Sequence, residues 1–127
     1  MRIIFICILL NLLVSAEVLV VTSKNNEIKN INSKQLSNIY LKKTTQVDNK
    51  RVIPIDNIDD YDKFYKKVVK KTPQQIHAYW MKEIFTGKKR PPKKVSRDQI
   101  SKELQRDQKN ISYSTEKIDA KVIYEVK

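Results

Sequence analysis

Residues 72–92, TPQQIHAYWMKEIFTGKKRPP, are bounded as a helix at both ends. They carry the only Trp (Trp80), the only His (His77), the only Gly (Gly87) and three of the four Pro residues, Pro73, Pro91 and Pro92. Thr72 is placed as an N-cap. Pro73 suits the first helical position, where its φ is already helical and its missing N–H costs nothing. Ile76, Tyr79, Trp80 and Ile84 recur at i, i+3, i+4 and i+8, which makes one apolar face. Gly87 stands where a helix needs a left-handed residue to stop. Lys88, Lys89 and Arg90 lie at the negative end of the dipole, and Pro91-Pro92 prevents continuation. The spacing predicts a capped helix whose aromatic face covers a sheet, followed by a stiff basic loop.

Upstream, Tyr61, Phe64, Tyr65, Val68 and Val69 fall at i, i+3, i+4, i+7 and i+8, the cleanest amphipathic pattern in the chain. That pattern ends at Lys70-Lys71, so two helices run almost back to back. The segment before it, DNIDD at 56–60, places Asp56, Asp59 and Asp60, with Asp62 just beyond, where carboxylates complement the positive end of a helix dipole. Residues 51–55, RVIPI, read as a strand, with Pro54 at an edge or near a strand end. Residues 42–50 are a polar loop that turns at Asp48-Asn49. Ser33 is the expected cap of a short helix with Leu36, Ile39 and Tyr40 facing inward. Residues 18–22, VLVVT, are apolar without alternation, as in a parallel strand buried on both faces.

Downstream, Ser96 is the expected cap of a polar helix, SRDQISKELQRDQ, anchored by Ile100 and Leu104. Residues 111–113 form a very short strand. Residues 121–126, KVIYEV, alternate polar and apolar as a half-exposed strand does. The order β-α-β-α-α-α-β-β predicts one α/β layered domain.

The 127 residues divide into a leader and a domain. Arg2 precedes an apolar run at 3–14 interrupted only by Asn11, and Val14-Ser15-Ala16 is a small-residue cleavage site. Residues 1–16 are therefore expected to be a signal peptide, and 17–127 the exported domain. A membrane anchor is the other reading of the same run, which is shorter than the roughly 20 apolar residues of a spanning helix. The single Cys, Cys7, lies in the leader, so the domain has no disulfide framework and no thiol chemistry. Export without disulfides fits a bacterial periplasm. With 26 Lys and Arg against 14 Asp and Glu, the net charge is +12, which favours anionic partners.

No catalytic constellation is visible. One His makes no metal cluster, there is no Cys nucleophile or G-x-S-x-G elbow, and Thr86-Gly87-Lys88 lacks the strand and first Gly of a phosphate loop. The chain is expected not to be an enzyme and to need no cofactor or metal. The loop Lys88-Lys89-Arg90-Pro91-Pro92-Lys93-Lys94 has three readings: a nucleic-acid patch without interleaved aromatics, a short membrane-surface patch, or a solvated helix exit, the last being favoured. No specific nucleic-acid partner is expected.

Four stretches in order resemble one family. VLVVTSKNN followed by QLSNIYLKK is similar to its first strand and leucine-serine helix, and DNKRVIPID to its turn and second strand. KFYKKVVKKTPQQIHAYWMKEIFTGKKRPPKKV is similar to its two successive helices and closing Gly-x-x-x-Pro-Pro loop. NISYST stands where the family has a Gly-x-Ile-Gly-Tyr return strand. The chain thus resembles short, single-lobe members of the periplasmic substrate-binding protein superfamily, those similar to phosphate-transport substrate-binding proteins. The resemblance implies one three-layer lobe of the type II fold, a mixed sheet of about four or five strands and about four helices. It also implies a non-enzymatic solute-binding role in connection with ABC-type transport or sensing. Inorganic phosphate or another small oxyanion would be the ligand, and a membrane permease or sensor the protein partner. The alternative is a single-lobe interaction module of the envelope with no small-molecule ligand.

Phosphate binders of this family resemble one another in an Arg followed by Ser-Gly-Thr at the helix start after the second strand. Here Asp56 and then Asn57-Ile58-Asp59-Asp60 occupy that stretch, so neither motif carries over. Carboxylates there repel a dianion and compete for the free N–H groups. The candidate ligand-binding residues are Thr22 and Ser23 after the first strand, Asn57 near the helix start, and Ser114 and Thr115 after the return strand. All are at strand ends, where ligands collect in open α/β sheets.

Overall fold

The computed structural model describes residues 17–127, so the expected leader at 1–16 lies outside the described residues. The main sheet contains β1 (Val18–Thr22), β4 (Ile53–Asn57), β5 (Lys93–Val95), β6 (Asn110–Ser114) and β7 (Lys121–Val126), in the order β5-β4-β6-β1-β7. β4 is parallel to both β5 and β6, while β1 runs antiparallel to both β6 and β7. Four strands therefore share one direction and β1 opposes them. This corrects the parallel reading of VLVVT. Val18 and Val20 belong to the larger core, whereas Leu19 and Val21 pack with the smaller one. Burial on both faces reports that both faces of a strand are covered, and it is blind to strand direction.

The helices form the outer layers. α1 (Ser33–Tyr40), α2 (Tyr61–Phe64) with the π-helical turn Tyr65–Val69 that continues it, and α3 (Pro73–Phe85) build the larger core. A 3-10 turn, Arg97–Gln99, leads into α4 (Ile100–Arg106), whose Ile100 and Leu104 join Val21 and Ile55 in the smaller core. The result is a three-layer α/β lobe with a five-stranded mixed sheet and four helices. β2 (Gln46–Val47) and β3 (Lys50–Arg51) add a two-residue hairpin. Its turn residues, Asp48 and Asn49, have φ of 52° and 66°, the twist a tight hairpin requires.

Local chemistry explains most element ends. Thr72 caps α3 with a full capping box: its hydroxyl accepts from the Gln75 N–H, and the Gln75 side chain accepts from the Thr72 N–H. Gly87 has φ +71°, the left-handed residue expected beyond the helix. α1 is capped by Asn32 with Gln35, one residue before the expected Ser33. Pro54 lies in a central strand but near its beginning. It pairs only with Ile111 of β6, and β5 joins from Ile55 onward. No ladder bond on the β5 side is lost there.

Two expectations for residues 84–95 are corrected. Ile84 is exposed and stands apart from the buried Ile76 and Trp80. After eight residues, the 3.6-residue period has carried it off the inner face. The basic loop is also no mere exit, because Lys93–Val95 forms β5, an edge strand of the main sheet. Only three residues long and lysine-rich, it shows the short, charged design of a protected edge.

Candidate functional site

β5, β4 and β6 are adjacent and parallel, and their carboxyl ends lie together at one end of the sheet. Asn57 is the last residue of β4, Thr115 follows the last residue of β6, and Arg97 stands two residues beyond β5. Crevices at such strand ends are where open α/β sheets place ligands. Here a side chain of the protein itself occupies the position.

The occupant is Asp60. Its carboxylate accepts five hydrogen bonds: from Asn57 Nδ2 at 2.9 Å, Arg97 Nε at 3.0 Å, Arg97 Nη2 at 2.6 Å, the Thr115 N–H at 3.0 Å and the Thr115 hydroxyl at 2.8 Å. The Asp60 side chain is 3% exposed and that of Arg97 29%. A planar guanidinium fork, a backbone amide, a hydroxyl and a carboxamide converging on two oxygens is a donor set suited to an oxyanion. Burial alone would raise the Asp60 carboxyl. The hydrogen bonds from Arg97 and Thr115 outweigh it and hold the group below the usual carboxylate range. The Arg97 guanidinium is raised in turn, chiefly by its hydrogen bond to Asp60.

Asn57 sets the geometry. Its Oδ1 accepts from the N–H groups of Asp59 and Asp60, and its Nδ2 also donates to the Tyr113 carbonyl. This Asx turn folds the chain so that Asp60 reaches back over the strand ends. Asp60 makes no side-chain cap bond to the helix it precedes, and Asp59 accepts from the Arg97 N–H. Asp62 stands in the first turn of α2, as expected of a carboxylate that complements the helix dipole, and the expectation is corrected for Asp56, Asp59 and Asp60. Two of the cluster's carboxylates hold the Arg97 segment.

Asp56 is used differently. It points into the core, where the hydroxyls of Tyr65 (3.0 Å) and Tyr113 (2.8 Å) donate to its carboxylate. Burial is the dominant influence and raises its pKa to about 7, with the two tyrosines pulling the other way. Tyr40 stands beside it, donating to the carbonyls of Ile55 and Ile111. This is an internal network with no opening toward a solute.

The five sequence candidates separate into two places. Asn57, Ser114 and Thr115 lie at the Asp60 cluster. Ser114 is engaged locally, donating to the Glu116 carbonyl and accepting from the Glu116 N–H. Thr22 and Ser23 lie toward the opposite end of the strands, at the end of the interior strand β1. Thr22 pairs with Ile111 and Leu19 with Ser114, so three residues, about 10 Å of strand, separate the two positions. The Thr22 hydroxyl donates to the Asn110 carbonyl and accepts from Asn26 Nδ2, and Ser23 accepts from the Asn25 N–H. The antiparallel direction of β1 is what divides the set. Sequence reasoning missed Arg97, one of 26 basic residues with no local mark, and it misread Asp60.

The surface over the cluster is a shallow depression lined by Asp59, Ser96, Arg97, Asp98, Glu116 and Ile118. Arg97 is its one cation among three carboxylates, and its Nη1 lies 3.2 Å from Glu116. A free dianion meets repulsion there even though the molecule as a whole is basic. Among the described residues, no group of three or more His, Cys, Asp or Glu is placed to hold a metal ion.

The architecture is a single α/β lobe with a periplasmic-binding-protein-like fold. Among solved structures it is similar to one described as a phosphate ABC transporter substrate-binding protein with bound phosphate from Clostridium perfringens, with a TM-score of 0.61 and 19% sequence identity over 88% of this chain and 44% of that one. It is also similar to an ABC-type phosphate transport receptor from Vibrio cholerae, with a TM-score of 0.52 and 12% identity over 85% of this chain and 45% of that one. The chain thus spans less than half the length of either protein. No family profile and no curated protein sequence matches it.

Proposed function

We propose that this chain is an exported, non-enzymatic binding protein built on one solute-binding lobe, and that it acts by contact with another component of the cell envelope instead of capturing a free solute. The observation that carries this reading is the Asp60 carboxylate seated on Asn57, Arg97 and Thr115. A tethered carboxylate competes with any dissolved anion at high effective concentration. Displacing it would leave a buried charge without its partners. Export rests on the leader reading of residues 1–16, and the periplasm is the compartment it implies.

The second reading is an oxyanion-binding protein tied to ABC-type transport or sensing. The fold likeness to a phosphate-bound structure favours it. Thermal unfolding separates the two. In about 10 mM phosphate or sulfate, the melting temperature is expected to move no further than in chloride of equal ionic strength. A rise of several degrees specific to one oxyanion would overturn the first reading in favour of the second.

A further inference from the structure

α3 has a second apolar face. At about 100° per residue, Ile76, Tyr79, Trp80 and Glu83 project to the core side, while Ala78, Met81, Ile84 and Phe85 fall together on the outer side. Phe85 is 92% exposed, Met81 54% and Ile84 49%. These are three of the five exposed large apolar side chains among the described residues, gathered on the last two turns of one helix. Scattered exposed apolar residues need no explanation, but a cluster at a helix end does.

The charge around this cluster is one-sided. From Lys82 to Lys94 the chain has six basic residues and a single acidic one, Glu83. Glu83 faces inward beside Lys89, which lies 3.7 Å away and donates to the Tyr79 hydroxyl. Lys82, Lys88 and Arg90 are exposed, and none of them pairs with a carboxylate among the described residues. Lys82 lies on the same turn as Met81 and Phe85, and Lys88 and Arg90 follow Gly87 directly. The apolar tip is thus rimmed by unpaired cations.

We infer that the C-terminal end of α3 is a docking surface for an anionic lipid bilayer. Met81, Ile84 and Phe85 enter below the headgroups, and Lys82, Lys88 and Arg90 lie among anionic headgroups. The pairing of modest apolar insertion with basic residues is what reversible interfacial binding uses, since neither alone anchors firmly. A protein partner fits less well. Three side chains at a helix end offer roughly 300 Å² of contact, well short of the ~800 Å² per partner of a stable protein interface. The inference rests on the reading of the chain as an exported contact protein, and it names the surface that makes the contact.

The test uses residues 17–127, which hold the whole described core, so that the apolar leader does not itself bind lipid. Phe85→Trp places a reporter at the tip, because Trp80, the only native Trp, is buried. Phosphatidylglycerol vesicles are expected to shift its emission to the blue, and brominated acyl chains to quench it, whereas phosphatidylcholine vesicles do neither. Ile84→Ser with Phe85→Ser, and separately Lys88→Glu with Arg90→Glu, are each expected to weaken vesicle binding about tenfold or more. All four positions are exposed, so an unchanged circular dichroism spectrum is the folding control. Quenching absent on anionic vesicles, or binding equally strong in either double variant, would overturn the inference, because the overall positive charge alone would then account for association. Capture by an acidic protein with no vesicle binding would overturn it as well. A phosphate-induced rise in melting temperature would refute the proposed function and leave the vesicle result standing, so the two fail separately.

Discussion

Replacing Asp60 by Ala tests whether the carboxylate is a tethered occupant of an oxyanion site. The substitution removes the acceptor of five hydrogen bonds and leaves Arg97, the Thr115 amide and hydroxyl, and Asn57 Nδ2 facing a void the size of a carboxylate. Breaking a fully buried ion pair costs about 3–5 kcal/mol. Arg97 is 29% exposed and recovers part of its hydration, so a loss of about 2–3 kcal/mol is expected. Formate restores the missing group without the tether. Asp59, Asp98 and Glu116 remain nearby, so its affinity in the variant is expected to be weak, with Kd on the order of 10 mM. At about 100 mM formate, ten times that Kd, linkage returns about 1.4 kcal/mol, or about 6 °C in melting temperature for a domain of this size. The assay is thermal unfolding in formate against chloride at matched ionic strength, with the unsubstituted chain in parallel. That chain should show no difference between the two salts. If Asp60→Ala unfolds at the unsubstituted temperature, or if formate raises both proteins equally, Asp60 is not standing in for an anion.

Three further predictions follow from the core and its caps. The Asp56 pKa of about 7 lies above the unfolded value of 3.8, so the folded state holds this proton more tightly, and stability is lost as pH rises from about 4 to 7. The loss is on the order of 4 kcal/mol, and Asp56→Asn should abolish that slope in urea unfolding, leaving the opposite slope of Asp60 and Glu103, whose depressed carboxyls lose stability as pH falls. Phe64 is fully buried and stacks on Tyr113 with ring centroids 3.8 Å apart, so Phe64→Ala should cost about 3–5 kcal/mol in chemical denaturation. Gly87→Ala meets no atom within 4 Å but must adopt φ +71°, so it should cost only the left-handed penalty of about 1–2 kcal/mol, readable as a drop of several degrees in melting temperature.

What the sequence by itself determined was local. The capped start of α3, the left-handed Gly87, the hairpin turn at Asp48-Asn49 and the inward face of Phe64, Tyr65, Val68 and Val69 all follow from neighbours within a few residues. Their causes, a side-chain cap, a missing Cβ and a helical period, are written in the chain at short range. The family resemblance extended this to a lobe of known architecture. Only the tertiary structure decided the direction of β1, and with it the division of the candidate residues between the two ends of the strands. Only folding brought Arg97 to Asp60 across 37 positions and Thr115 across 55. Among so many cations and carboxylates, charge type carries no address. Partners are selected when strands align in register and their ends converge, which is why the acidic run at 56–60 read as helix-end charge and proved to be one core acid and the two carboxylates that hold Arg97.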